Sequence, residues 1–76
     1  MPHVVVKLYA GRPQQEKARI AEAVAKAVSA SARCAEASVS VSVEDVAPAD
    51  WTSKVYAPEI VGKPDTLYVK PGYDPR

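Results

Sequence analysis

Hydrophobic and polar positions alternate twice along this chain, once on each side of a long stretch with a helical period. Residues 3–9, HVVVKLY, are rich in β-branched side chains and short, which predicts a strand. Alternation puts Val4, Val6 and Leu8 on one face and His3, Val5, Lys7 and Tyr9 on the other. AGRP then breaks the pattern, and Pro13 suits a first helical turn, where its missing N–H costs nothing. From residue 13 to about residue 32 the apolar positions recur every four residues, at Ile20, Val24 and Val28, with Ala21, Ala25 and Ala32 widening the stripe. Arg19, Glu22, Lys26, Ser29 and Arg33 make the opposite, solvated face, and Glu22 and Lys26 sit at a favourable i,i+4 spacing.

Residues 38–44, SVSVSVE, return to period two, with Val39, Val41 and Val43 pointing one way and Ser38, Ser40 and Ser42 the other. Strand, long helix and strand in this order predict a βαβ unit of α+β class, with two parallel strands joined in the right-handed sense. The helix is expected to cover the face bearing Val4, Val6, Leu8, Val39, Val41 and Val43. A second helix is expected over residues 48–57, opened by Pro48. Beyond it, Gly62, Pro64, Pro71, Gly72 and Pro75 leave room for one short turn around residues 65–69. Residues 1–76 read as a single domain. Two strands make a marginal sheet by themselves, so the sheet is expected to be completed by a symmetric partner, with the long tail packed across the subunit boundary.

Composition sharpens that expectation. A 76-residue chain has a small core, and chains of this size usually lean on disulfides, a metal or association. Cys34 is the only cysteine and His3 the only histidine, which rules out an intrachain disulfide and argues against a structural zinc site. Association is the support left. The formal net charge is +1 with both signs interspersed, so neither nucleic acid nor an anionic membrane is an expected partner. No apolar run has the length of a membrane span, no basic stretch leads into an apolar signal core, and the single free thiol suits a reducing compartment. The expected setting is the cytoplasm.

The usual catalytic sets are missing: there is no Gly-rich phosphate loop, no metal-ligand cluster and no Ser-His-Asp arrangement. Pro2 and Arg12 stand out against that background. Loss of Met1 would turn Pro2 into a free secondary amine, a rare group, whereas a retained Met1 would leave it an amide with no basicity. About eight strand residues separate Pro2 from Arg12, too many for the two to be neighbours within one subunit. An Arg12 from a second copy has no such restriction.

A proline behind the initiator methionine, a first strand running into GR, a long helix, a second strand and a short C-terminal segment together resemble the 4-oxalocrotonate tautomerase family. The resemblance covers residues 2 to about 51, and KPGY at residues 70–73 is similar to the longer-chain, homodimeric branch of that family, whose short-chain members are hexamers. It implies a β-α-β enzyme with no cofactor and no metal. Its substrate would be a small carboxylate in keto or enol form, and Pro2 would be general base and acid. Arg12 would hold the substrate carboxylate and draw electron density from the reacting carbonyl, and Trp51 would form an aromatic wall. Ser40 stands where the resemblance places a second arginine, which implies a poorer fit for dicarboxylates and leaves a serine to hydrogen-bond substrate or stay inert on the sheet. His3, next to Pro2, is a substrate contact or a strand-edge residue. Lys54, Tyr56, Tyr68 and Tyr73 are tail residues able to close a pocket, and Cys34, with no basic partner nearby in sequence, is a helix-end filler. The same resemblance leaves open a related hydratase, decarboxylase or dehalogenase chemistry, or a non-catalytic subunit sharing the fold.

Overall fold

The computed structural model describes all 76 residues. β1 spans His3–Tyr9 and β2 spans Ser40–Val46, and they pair in parallel as the whole of a two-stranded sheet. The register joins His3 to Ser40, Val6 to Val43 and Tyr9 to Val46. Alternation then gives one face to Val4, Val6, Leu8, Val41, Val43 and Asp45, and the other to His3, Val5, Lys7, Tyr9, Ser40, Ser42, Glu44 and Val46.

α1, Gln14–Ala32, is the crossover between the strands and follows Pro13 at its N-cap. Lys17 on α1 reaches Asp45 on β2 at 2.9 Å, which fixes the helix over the valine face as its spacing predicts. Ala32 departs from the expected stripe and is exposed in the last turn. Ser29, expected on the solvated face, is half-buried because its hydroxyl donates to the Cys34 carbonyl at 2.6 Å and helps the chain turn off the helix. Arg33 makes that turn in the left-handed conformation, at φ 57.

The second strand starts two residues later than its sequence pattern suggests. Ser38 N–H donates to the Ala35 carbonyl at 2.9 Å and Val39 N–H to the Glu36 carbonyl at 3.0 Å, so Glu36–Ser38 forms a tight 3-10 turn instead. The lost residues are recovered at the far end, where Asp45 and Val46 pair with Leu8 and Tyr9. The expected helix over residues 48–57 is also corrected. Pro48–Asp50 forms a 3-10 turn, and Thr52–Val61 winds as a π-type helix with Pro58 inside it. Proline has no N–H to offer an α-helical ladder, and a wider i to i+5 winding accommodates it. Gly62 closes the segment by donating to the Ala57 carbonyl at 2.9 Å, and a Cβ there would lie 2.8 Å from the Pro58 carbonyl oxygen. The last short turn is Pro64–Thr66.

This C-terminal segment packs on the sheet face that α1 leaves open. Lys7 on β1 pairs with Glu59, and Tyr9 meets Trp51 edge-on at 5.1 Å between ring centroids. The Glu59 carboxylate, accepting from the Lys7 ammonium, raises the lysine above its ordinary pKa. Only Val55 and Tyr56 are buried in the chain as it stands. The accessible surface is 5569 Å², roughly 1,000 Å² more than a self-contained monomer of this mass exposes. The radius of gyration is 13.7 Å, against about 11 Å for a compact domain of this length. Val5 is 45% exposed on the sheet, and Tyr68 93% exposed on the tail. An open sheet of this kind fits completion by association of chains. No helix is long and apolar enough to cross a membrane.

Candidate functional site

The five residues singled out in the sequence fall into two groups at opposite ends of the sheet. Pro2, His3 and Ser40 share the end where β1 begins. Pro2 is half-buried and Met1 ahead of it is exposed. Ser40 fastens this end twice. Its N–H donates to the Pro2 carbonyl at 3.1 Å, and its Oγ lies 2.7 Å from His3 Nδ1. The cross-strand partnership of His3 and Ser40 makes the second contact possible, because residues in register project on the same face.

Arg12 and Trp51 stand at the other end, roughly 20 Å along β1. Gly11 delivers the arginine there. The ladder ends with Ala10 N–H donating to the Val46 carbonyl at 2.9 Å, and the chain then turns through Gly11 at φ 121, a conformation that side chains resist. Arg12 is exposed, and its Nη1 donates to Glu16 Oε1 at 2.5 Å, one helical turn on. One carboxylate oxygen on one nitrogen leaves the rest of the guanidinium fork free for a planar anion. Sequence reading passed over Glu16, whose i,i+4 spacing from Arg12 was the signal to find it. Tyr9, the other neighbour here, follows only from the fold.

Trp51 closes this end over Tyr9, at an interplanar angle of 79°. Its indole Nε1 is buried without a hydrogen-bond partner in the chain. A buried donor left unpaired costs about 1–3 kcal/mol. Trp51→Phe keeps an aromatic edge for Tyr9 and deletes the orphan donor, so its unfolding free energy is expected to stay within about 1 kcal/mol of wild type. Trp51→Ala, which removes the packing as well, is expected to lose about 2 kcal/mol or more. Denaturant titrations at one fixed protein concentration make the comparison. A phenylalanine variant as unstable as the alanine one would mean that Nε1 has an acceptor in the associated protein.

Beside this end a cleft of about 270 Å³ opens between β2 and the tail, lined by Lys7, Glu44, Asp45, Asp50, Lys54 and neighbours. Lys54 pairs with Asp50 at 3.3 Å. Tyr56, Tyr68 and Tyr73 do not line it; Tyr56 and Tyr73 border a separate apolar groove in the tail, and Tyr68 projects outward. No group of three or more metal-ligating side chains gathers anywhere. Within one chain, therefore, a half-buried proline with a polar His–Ser pair stands at one end, and an exposed arginine paired with Glu16 stands with the Tyr9–Trp51 aromatic pair at the other.

Comparison with known proteins adds an independent line. Residues 2–58 match the family model described as tautomerase enzyme, a span that takes in Pro2, Arg12, Ser40 and Trp51. A probable tautomerase of Xylella fastidiosa is 38% identical over 73 residues, covering 96% of this chain and 89% of the relative. The tautomerase PptA of Cronobacter sakazakii is 33% identical over 75 residues, covering 97% of this chain and 99% of the relative. That of Pectobacterium carotovorum is 36% identical over 74 residues, covering 96% and 97% respectively.

Proposed function

The chain belongs to the tautomerase family, and from that premise we propose that it interconverts the keto and enol forms of a small 2-oxo carboxylate through Pro2. Removal of Met1 gives Pro2 a free imino nitrogen. In its unprotonated state this nitrogen takes the proton of the enol hydroxyl, leaving an enolate spread over oxygen and carbon. The same proton then returns from the prolinium to the carbon end, and the ketone forms. An apolar surround and a nearby guanidinium both disfavour the charged form of the amine, which brings a base of this kind toward working pH.

Arg12 holds the substrate carboxylate with the part of its fork that Glu16 leaves free, and its charge stabilises the enolate where fixed cations act most strongly. Trp51 screens that charge from water. The separation of the two groups along β1 supports a shared site, in which Pro2 of one copy works beside Arg12 and Trp51 of another. A two-fold pair that sets the start of one sheet against the end of its partner's meets that requirement. The surplus surface of the lone chain is about what one side of a standard interface covers, which favours a homodimer over a hexamer.

The match that takes in Pro2 and Arg12 together carries this reading. Intact mass of natively produced protein, sedimentation, and spectrophotometric ketonisation of the enol of phenylpyruvate test it. The expected results are a chain lacking Met1, a mass of two chains, and turnover well above the buffer rate. A retained Met1, or no turnover, overturns the mechanism; a mass of six chains overturns the dimer.

A further inference from the structure

Lys7 has two carboxylates within its field and bonds the one more distant in sequence. Its partner in the strand register is Glu44, and opposite charges directly across a sheet are a natural pair. The ammonium instead donates to Glu59, 52 residues further on, and Glu44 acts on it only through its charge. Glu59 lies in the second half of Thr52–Val61, directly after Pro58, which has no N–H to give to the winding. A ladder bond is therefore missing beside the point where the side-chain pair takes hold. The other attachment of this segment is at its start, where Trp51 meets Tyr9. Lys7 and Tyr9 are neighbours on one face of β1, whereas Trp51 and Glu59 lie toward opposite ends of the winding, with buried Val55 and Tyr56 between them. One contact alone would leave the segment free to swing about it. Two contacts on one strand fix its setting.

We propose that Lys7 and Glu59 form a positioning pair, which holds the Trp51 indole in place at the arginine end of the sheet without itself touching substrate. Trp51 screens the charge of Arg12, so a segment that swings lets water in beside the guanidinium and weakens its hold on the substrate carboxylate. That carboxylate keeps its charge from ground state to transition state, so the loss falls on KM and hardly on kcat. Pro2, at the far end of β1, is undisturbed. The effect on KM rests on the tautomerase reading, but the position of Trp51 is measurable with no substrate present.

Trp51 is the only tryptophan in the chain, so its emission maximum and its quenching by acrylamide report its surroundings directly. Both are measured, together with ketonisation of the enol of phenylpyruvate, on wild type, Lys7→Met, Glu59→Gln, the double variant and Lys7→Arg. Lys7→Met and Glu59→Gln are each expected to shift emission to the red and increase quenching. Each should also raise KM roughly two- to fivefold, the reach of a partly exposed ion pair, with kcat changed by less than about twofold. The double variant should go no further than the worse single one, because either change breaks the same pair. Lys7→Arg keeps the cation and should stay near wild type in every readout. Circular dichroism and sedimentation at matched concentration check fold and association, and the nearly isosteric Glu59→Gln decides the outcome should Lys7→Met fail to fold. A rise in KM on Lys7→Met that Glu59→Gln does not share would make Lys7 a substrate contact and overturn the pair, as would additive single effects. Lower thermal stability with unchanged emission and KM would make the pair a structural tie and overturn its positioning role. If the variants move Trp51 while wild type itself turns over no enol, the hold on Trp51 stands and the tautomerase mechanism falls.

Discussion

Replacing Pro2 with alanine is expected to lower kcat for enol ketonisation by about 10²–10⁴-fold, with little change in KM. In the proposed site the proton transfer is the one step that a substituted amine performs differently, whereas the substrate carboxylate is held by Arg12. Alanine in second position still ends the processed chain in an amine, but a primary one, without the ring that holds the nitrogen at a fixed angle to β1. The pH profile separates loss of the base from loss of structure. On the proposed mechanism the unprotonated nitrogen is the active form, so wild-type kcat/KM is expected to rise with pH toward a plateau. The variant should lose that rise or shift it. A chain that keeps Met1 has an amide at this position and should be inert at every pH. Stopped-flow or initial-rate spectrophotometry measures all three, and an alanine variant with the wild-type rate and profile would remove Pro2 from the mechanism.

A mixture of two dead variants is expected to come back to life. Arg12→Ala alone should cost about 10²–10³-fold in kcat/KM, the range for deleting a fixed group that stabilises a developing oxyanion. Pro2→Ala is comparably damaged. If the site draws Pro2 from one copy and Arg12 from the other, a mixed dimer contains one site lacking both residues and one that is intact. Unfolding the two variants together and refolding them should therefore recover about one quarter of wild-type activity, since half of the dimers are mixed and each has one working site. A site built within a single chain predicts no recovery, because every site in every dimer would then lack one residue. Tyr9 and Lys7 lie between the two groups along β1, which makes the within-chain alternative a distance of roughly 20 Å to be bridged.

How much of this could be read from the residues varied with how local the cause was. β1 and α1 were legible because period-two and period-four patterns act within a few residues, and Pro13 marks the helix start wherever the rest of the chain goes. β2 was legible in kind but not in place. Its first two residues belong to a turn set by Ala35 and Glu36, and its last two were recruited by β1, so the frame came from pairing instead of pattern. The winding of Thr52–Val61 past Pro58 was hidden, since a proline reads as a stop for the α-helix, and the wider winding depends on anchors at Tyr9 and Lys7 that are distant in sequence. Among the site residues, the separation of Pro2 from Arg12 followed from strand length alone. The bond from His3 to Ser40 did not, because it spans 37 residues and exists only in one register.

With two buried residues in 76, the lone chain has almost no interior of its own. Dilution should then act on it as urea acts on other proteins. Where folding and pairing are a single equilibrium, the melting temperature climbs with every increase in concentration, and no single figure describes how stable the molecule is. A cell that lets the supply of this chain fall would lose it by unfolding as well as by scarcity.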